Sequence, residues 1–359
     1  MHLHKLWLQE FRCYHEAELT LADGLTAIVG DNGQGKSSLL EAVSYLATLR
    51  SFRAVPSEAL VRQGAAAAIV RAEGEREQRS LLIEAEISSA GRSRVQVNRQ
   101  RLQRSRDLLG YLRVSVFTPD DLELVKGGPS IRRAFLDDTL VALDPSMYQT
   151  FSDLERVLRQ RNTLLRQARG RRTSEIETTL DVWDGQFAPL GDTIATRRMT
   201  LINEISPVLN AAYAAVARTP VSIEIHHDPD WLTLGLGEAL VRSRDEDLRR
   251  QVTTVGPHRD DISFSIGGLP ARTHASQGEQ RSLALALRLA AHELVTSVTG
   301  TSPVLLLDDV FSELDPQRSD ALVASLPSGQ TLLTTAGALP AGVEPNQVLR
   351  VDNGELFAV

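Results

Sequence analysis

Unbroken apolar runs, alternating runs and runs with a helical period follow one another along this chain, and their order predicts an α/β fold. Leu25 to Val29 and Val304 to Leu307 are continuous apolar stretches of strand length, the pattern of parallel strands buried on both faces. Arg113 to Phe117, Ile262 to Ile266 and Gln330 to Thr334 read as further strands, whereas Ser80 to Ile87 and Arg94 to Val97 alternate and so read as strands with one wet face. Ser38 to Leu49 reads as a helix. In the middle, Tyr148 to Arg169 places Phe151, Leu154, Val157, Leu158, Leu164 and Leu165 on helical spacing, and a second helix runs from about Ser174 past Leu201. Gly170 to Ser174 reads as the turn between them. Residues 1–117 and 263–359 therefore form one α/β lobe, closed across a mainly helical insertion at 118–262.

The first apolar strand runs directly into Gly30-Asp31-Asn32-Gly33-Gln34-Gly35-Lys36-Ser37, which fits the phosphate-binding pattern G-x-x-x-x-G-K-[ST]. Glycines at 30, 33 and 35 admit positive φ and close backbone approach, so successive N–H groups converge on an anion at the positive end of the helix that follows. Lys36 is expected to reach the β- and γ-phosphates of ATP. Ser37 is expected to ligate Mg²⁺, and Ser38 to complete the loop. Lysine occurs only at 5, 36 and 126 in a chain that otherwise uses arginine, so its presence at 36 sharpens the reading.

Val304 to Leu307 ends in Asp308 and Asp309, which resembles a Walker B strand: Asp308 would hold Mg²⁺ and Asp309 would polarise the attacking water. Aspartate is a methylene shorter than the glutamate usual at the second position, so slow hydrolysis is expected. Phe311-Ser312-Glu313-Leu314-Asp315 resembles the D-loop of the ATP-binding-cassette superfamily, with Ser312 and Asp315 as its candidate residues. Upstream, Ser276-Gln277-Gly278-Glu279-Gln280 resembles that superfamily's signature motif. Locally the same residues form a capping box ahead of Leu283, Leu287, Ala290, Leu294 and Val298 at helical spacing. The order of P-loop, signature, Walker B and D-loop favours the nucleotide reading. In cassette proteins the signature binds the γ-phosphate of ATP held by the other protomer, which implies an ATP-dependent homodimer. Two landmarks differ: Thr335-Ala336-Gly337 stands where a switch histidine is usual, and no clear glutamine loop exists, Gln63 being the nearest obvious glutamine.

The net charge of −7 weighs against nucleic acid until its distribution is considered. Arginines at 92, 94, 99, 101, 104, 106 and 113 face the single acid Asp107, and those at 156, 159, 161, 166, 169, 171 and 172 face Glu155 alone. These patches nominate Arg92, Arg94, Arg99, Arg101, Arg104, Arg161 and Arg166 as DNA contacts, with solvated surface as the alternative. Neither patch is interleaved with aromatics, so backbone-directed duplex binding is expected rather than stacking of single strands. The single cysteine, Cys13, leaves no intrachain disulfide, and the eight histidines show no ligand spacing, so no metal beyond nucleotide Mg²⁺ is expected. No stretch of eighteen apolar residues occurs and Met1-His2-Leu3-His4-Lys5 lacks a signal-peptide pattern, so a soluble cytoplasmic protein without a membrane partner is expected.

The resemblance extends beyond the ATPase motifs. Val116 to Val125 with Gly127-Gly128-Pro129 and Arg132 to Asp137, Arg161-Asn162-Thr163-Leu164-Leu165, Gly256-Pro257-His258-Arg259-Asp260-Asp261 and the opening Leu8 to Tyr14 resemble the RecF family of bacterial recombination mediators, essentially end to end. That resemblance implies a cassette/SMC-like P-loop ATPase head with an inserted helical lobe bearing a short antiparallel arm. It also implies a slow, DNA-stimulated ATPase whose ATP-bound dimer clamps duplex DNA beside single-stranded gaps. RecO, RecR and RecA are the partners it implies, in gap repair, replication recovery and the SOS response. An SMC-like structural ATPase and the ATPase subunit of a transporter are the rival readings. Arg132 and Arg133 are expected to pair with Asp137 or Asp138 along one helix, and His258 to support local structure.

Overall fold

The computed structural model of the protein describes residues 1–358. The chain divides into two compact units, one of Met1–Leu122, Val208–Pro220 and the chain from Gln277 onward, the other of Glu123–Pro207 and Val221–Ser276. The sequence reading placed the divisions after 117 and 262; the compact units change over five and fourteen residues later, and 208–220 joins the first unit.

The first unit is built on two sheets. One is antiparallel throughout, in the order β2(Tyr14–Thr20), β1(His2–Phe11), β4(Ala67–Arg76), β5(Arg79–Ser88), β6(Arg94–Val97), β7(Gln100–Arg101). The other runs β15(Glu355–Ala358), β14(Gln347–Asp352), β3(Leu25–Val29), β13(Thr331–Thr335), β12(Val304–Asp308), β8(Val114–Phe117), parallel except for the β14–β15 hairpin. β12 and β13 are buried at every position, β12 through its apolar run Val304 to Leu307 and β13 with three threonines beside Leu332 and Leu333.

Between the sheets lies α1(Lys36–Thr48), whose Leu39, Leu40, Val43 and Leu46 share one core with Leu6, Leu8, Val70 and Ile83 of the first sheet and Ile28, Leu306 and Leu332 of the second. Each such side chain contributes roughly 1.5–3 kcal/mol of burial. This anchors the helix start against the ends of β3 and β12. A separate cluster joins Phe117, Leu305, Leu307 and Leu333 of the parallel sheet to Leu285 and Leu289 of α8(Gln277–Thr299) and Leu322 of α9(Pro316–Ala324).

The second unit contains α2(Glu123–Lys126), α3(Pro129–Leu143), α4(Met147–Ala168), most of α5(Ser174–Ala217), α6(Leu236–Arg250) and α7(Ala271–His274). It also holds the three-stranded sheet β11(Leu269–Pro270), β10(Ser263–Ile266), β9(Ile223–His226). The turn expected after residue 169 joins α4 to α5, but the two are not a bare hairpin: Leu165, Ala168 and Leu180 pack with Leu248 of α6. Both Pro189 and Pro207 lie inside α5, and the division between units falls immediately after Pro207. Proline removes an N–H from the helical ladder, so α5 runs on through both positions with one backbone donor fewer at each.

Arg161, expected on sequence to contact DNA, is fully buried in this unit. Its guanidinium donates to Asp184 at 2.6 Å, Asp247 at 2.7 Å and the Thr253 hydroxyl at 2.9 Å, so no phosphate can reach it. Arg132 and Arg133 also differ from expectation. Arg132 donates to Asp261 at 2.8 Å and Arg133 to the Asp260 carbonyl, while Asp137 receives both arms of Arg198 at 2.8 Å. His258 does support local structure: its ring meets the Thr253 carbonyl at 3.2 Å and the edge of Phe187, and burial lowers its pKa to about 4.

Candidate nucleotide site

β3 ends at Val29 and α1 starts at Lys36, so the six residues between them form the loop at the carboxyl edge of the parallel sheet. Gly30, Gly33 and Gly35 all have positive φ. Two of these glycines are also required by space. A Cβ on Gly30 would lie 2.3 Å from the Val351 carbonyl, and one on Gly35 2.6 Å from Cys13 Sγ. The Gln34 side chain turns away from the loop and accepts from the Asn353 N–H at 2.6 Å.

A cavity of about 570 Å³ opens over the loop, lined by Asn32, Gly33, Gly35, Lys36, Ser37 and Ser38. Lys36 Nζ is tethered to the carbonyls of Gly30 and Asp31, both at 2.8 Å. Burial lowers its pKa, against the opposing pull of Asp309, Asp308 and Asp31. Asp309 lines the same cavity in a left-handed conformation, φ 51°, directly after β12. Its Oδ1 is buried and has no hydrogen-bond partner among the described residues. A hydroxyl and a carboxylate are the hard oxygen donors that Mg²⁺ takes, so Ser37, which lines the cavity, and Asp308, which does not line it but directly precedes Asp309, fit that ion by chemistry; the unpartnered oxygen is that of Asp309.

One residue that the sequence reading left unassigned organises the two acids. Thr334, at the end of β13, donates its hydroxyl to Asp308 Oδ1 at 2.8 Å and accepts from the Asp309 N–H at 3.0 Å. Parallel pairing of β12 with β13 puts Asp308 opposite Thr334. Arg12 and Arg53 also line the cavity. Arg12 is gripped by the fully buried Glu41 of α1 through two bonds of 2.7 Å, and Ser51 donates to the same carboxylate. Arg53 lies 4.0 Å from Asp308. Strand register and helix packing bring these three residues in from outside the loop, and of them only Arg12 lies in a segment that carries the family resemblance, Leu8 to Tyr14. Gln63, the nearest obvious glutamine in the sequence, lines the cavity, whereas Asp121 beyond β8 pairs with Arg288 of α8 at 2.7 Å.

Gln277, Gly278, Glu279 and Gln280 form the first turn of α8, immediately after Ser276, and do not line this cavity. Gly278 and the neighbouring Arg281 lie against the D-loop and the start of α9. The Arg318 guanidinium lies where a Gly278 Cβ would be, and Arg281 donates to the Glu313 carbonyl at 2.7 Å. Ser312 donates its hydroxyl to the Asp309 carbonyl at 2.7 Å, and Asp315 caps α9 by accepting from the Arg318 N–H at 3.0 Å. Of the arginine candidates, Arg92, Arg94, Arg99, Arg101, Arg104 and Arg166 are exposed; Arg94 lies 3.7 Å from Glu86 and Arg166 donates to Thr163. No helix among the described residues is long and apolar enough to cross a membrane.

Comparison with known proteins agrees across the whole chain. The DNA replication and repair protein RecF of Frankia alni is 44% identical over 353 residues, which cover 94% of this chain and 93% of that protein. The corresponding protein of Streptomyces avermitilis is 43% identical over 350 residues, with the same coverage of 94% and 93%. A solved structure of the recombination mediator protein RecF–ATPrS in the RecFOR pathway superposes with a TM-score of 0.92 at 28% identity, covering 100% of this chain and 98% of that one. The Smc head domain of Pyrococcus furiosus superposes with a TM-score of 0.58 at 17% identity, covering 100% of this chain and 96% of that one, a likeness of fold. With the RecF/RecN/SMC N terminal domain family also matching residues 2–334, the chain belongs to the RecF family, on an SMC-like ATPase fold.

Proposed function

We propose that this protein is an ATP-dependent DNA-binding recombination mediator whose ATP-bound dimer holds duplex DNA beside single-stranded gaps. The observation that carries the reading is the cavity itself: Lys36, Ser37 and Asp309 meet over one phosphate loop, with a carboxylate oxygen left unpartnered. Its relatives are named for DNA replication and repair, and the solved RecF structures are described with ATP in the RecFOR pathway. Action with RecO and RecR, and through them on RecA, follows from that kinship.

In this reading the loop N–H groups and Lys36 cradle the β- and γ-phosphates, while Ser37 and Asp308 hold Mg²⁺, which supplies charge neutralisation on the phosphates. Asp309 accepts the proton of the attacking water as its oxygen bonds to phosphorus and the bond to the ADP oxygen breaks. Thr334 holds the Asp308 carboxylate through its hydroxyl and receives the Asp309 backbone N–H on the same oxygen. Ser276 and the start of α8 take the γ-phosphate of the partner protomer's nucleotide, so ATP joins two copies and hydrolysis separates them. The short reach of Asp309 makes turnover slow, which suits a timed clamp, and DNA is expected to stimulate it.

Sedimentation with and without ATP and Mg²⁺, repeated with a gapped duplex, tests the scheme. An ATP-dependent dimer that captures the DNA is expected, and Ser276→Arg should abolish the dimer while leaving ATP affinity nearly intact. A monomer under every condition, or a dimer indifferent to Ser276→Arg, would sink the shared-site reading.

A further inference from the structure

Two arginines bridge the start of α8 to the segment that follows Asp309. The Arg318 guanidinium is pressed against Gly278, where a Cβ would lie 2.2 Å from Nη2 and 2.6 Å from Cζ. Its Nε donates to the Ser282 hydroxyl at 3.2 Å, one turn further along α8, and its Nη1 pairs with Asp315 at the start of α9. Beside it, Arg281 donates to the Glu313 carbonyl at 2.7 Å and to the Glu313 carboxylate at 3.2 Å. One residue earlier in the D-loop, Ser312 donates to the Asp309 carbonyl at 2.7 Å. We propose that Arg318 is a positioning residue for hydrolysis: it makes the start of α8 and the D-loop one piece, so that a phosphate met at the start of α8 sets the direction of Asp309 in the same protomer.

The backbone of Asp309 is what makes such a link consequential. Its φ of 51° is a left-handed conformation that a residue with a side chain keeps only where its surroundings impose it. Those surroundings are two bonds: Thr334 accepts from the N–H at 3.0 Å, and Ser312 donates to the carbonyl. The Thr334 side is fixed by the parallel sheet, whereas the Ser312 side moves with the D-loop, so a shift of 310–313 turns the Asp309 carboxylate within the cavity. A guanidinium suits the connecting role because its planar fork serves two elements at once, Nε on α8 and Nη1 on Asp315, which the point charge of a lysine cannot do. Gly278 supports the same reading. Its φ is not positive, and alanine is the better helix former at such a place, so what glycine supplies there is room for Arg318.

This inference rests on the shared-site reading proposed above, in which the start of α8 meets the nucleotide of the partner protomer. Three quantities test it on the full chain with Mg²⁺ present: affinity for the non-hydrolysable analogue AMP-PNP, sedimentation of the dimer formed with that analogue, and kcat for ATP. Arg318→Ala should keep the affinity and the dimer while kcat falls roughly 10- to 100-fold, the scale of a misplacement of about 1 Å. Arg318→Lys should restore little of the loss. Ser312→Ala should also lower kcat, and the double variant Arg318→Ala/Ser312→Ala should be no slower than the slower single variant, because both residues lie on one connection. Losses that multiply in the double variant overturn the inference, as does an unchanged kcat in Arg318→Ala. Loss of the dimer in Arg318→Ala at full analogue affinity assigns the residue to the contact between copies and overturns it too. Were Arg318→Ala to unfold, Arg318→Lys keeps the stem and the charge, and the same cycle with Ser312→Ala decides the matter. Wild-type protein that stays monomeric with AMP-PNP defeats the shared-site reading itself, whereas a wild-type dimer beside an Arg318→Ala variant of normal kcat defeats this inference alone.

Discussion

Two clusters of charged side chains, one in each unit, contain the same residue types and do opposite things with them. Around Arg161 each acid is met by a cation: Asp184 receives Arg161 and also Arg244 at 2.7 Å, and Asp247 receives Arg161 and the Thr254 N–H at 2.8 Å, although Arg161 Nη2 and Arg244 Nε have no hydrogen-bond partner among the described residues. Around Lys36 the charges are positioned but not used up. Lys36 is held by carbonyls rather than by an acid, Arg12 is steadied from behind by Glu41, and Asp309 keeps an oxygen with no partner. A network in which every acid has its cation ties α4, α5 and α6 to one another. An open one leaves binding energy for a ligand. The difference teaches that an arginine's neighbours, not its presence, decide whether it is architecture or site.

Four measurements would break or sharpen that contrast. The largest effect is expected from Arg161→Ala, which takes from Asp247 its cation and leaves Asp184 with Arg244 alone. Urea unfolding should show a loss of about 3–5 kcal/mol, against a first-unit ATP affinity that changes little under folding conditions. A DNA-binding defect without a stability loss would return Arg161 to the list of DNA contacts. Asp309→Asn should retain ATP but lose roughly 100- to 1,000-fold in turnover, because the water loses its proton acceptor. Unaltered steady-state hydrolysis in that variant would remove Asp309 from the reaction.

A third effect depends on pH. His292 is buried between the hydroxyls of Ser115 and Ser302, and burial lowers its pKa to about 4. The unfolded chain takes up a proton on this residue below about 6.5 and the folded one only near 4, so stability is unaffected above 6.5 and falls as the pH drops between the two. The penalty at the acid end is on the order of 3 kcal/mol. Thermal unfolding at pH 7 and pH 5 should show a slope that His292→Asn reduces by about half, the buried His258 supplying a like share. The smallest effect is expected from Arg159→Ala. Two residues from Arg161, it makes an exposed ion pair with Glu155 at 2.9 Å, and its removal should cost at most a few tenths of a kcal/mol. A loss comparable to that of Arg161→Ala would show that burial is not what separates the two.

Much of the fold was legible in the sequence because its signals are local. β3 occupies the expected 25–29, β12 adds only Asp308 to the apolar run, and α4 spans Met147–Ala168 against an expected 148–169. The phosphate loop was legible for the same reason, since its glycines, lysine and serine are consecutive. The arginine patches were not. Composition showed that Arg161 and Arg166 lie in one basic run, but a helix turns by about 100° per residue, so residues in one run point to different faces. One of the two is fully buried and the other exposed. The prolines inside α5 and the break after Pro207 were equally silent in the hydrophobic pattern.

By itself the sequence determined that the chain is an α/β P-loop protein, where its nucleotide loop and paired acids lie, and which family it resembles, because each of these is written in residues adjacent along the backbone. Tertiary structure alone decided that Thr334 would bond the Asp308 carboxylate and the Asp309 N–H, that Arg12 would be carried into the cavity by Glu41, and that Arg161 would be architecture. Those facts depend on strand register and helix packing between segments tens to hundreds of residues apart. Such contacts follow from which apolar faces are buried together, and no local spacing encodes them.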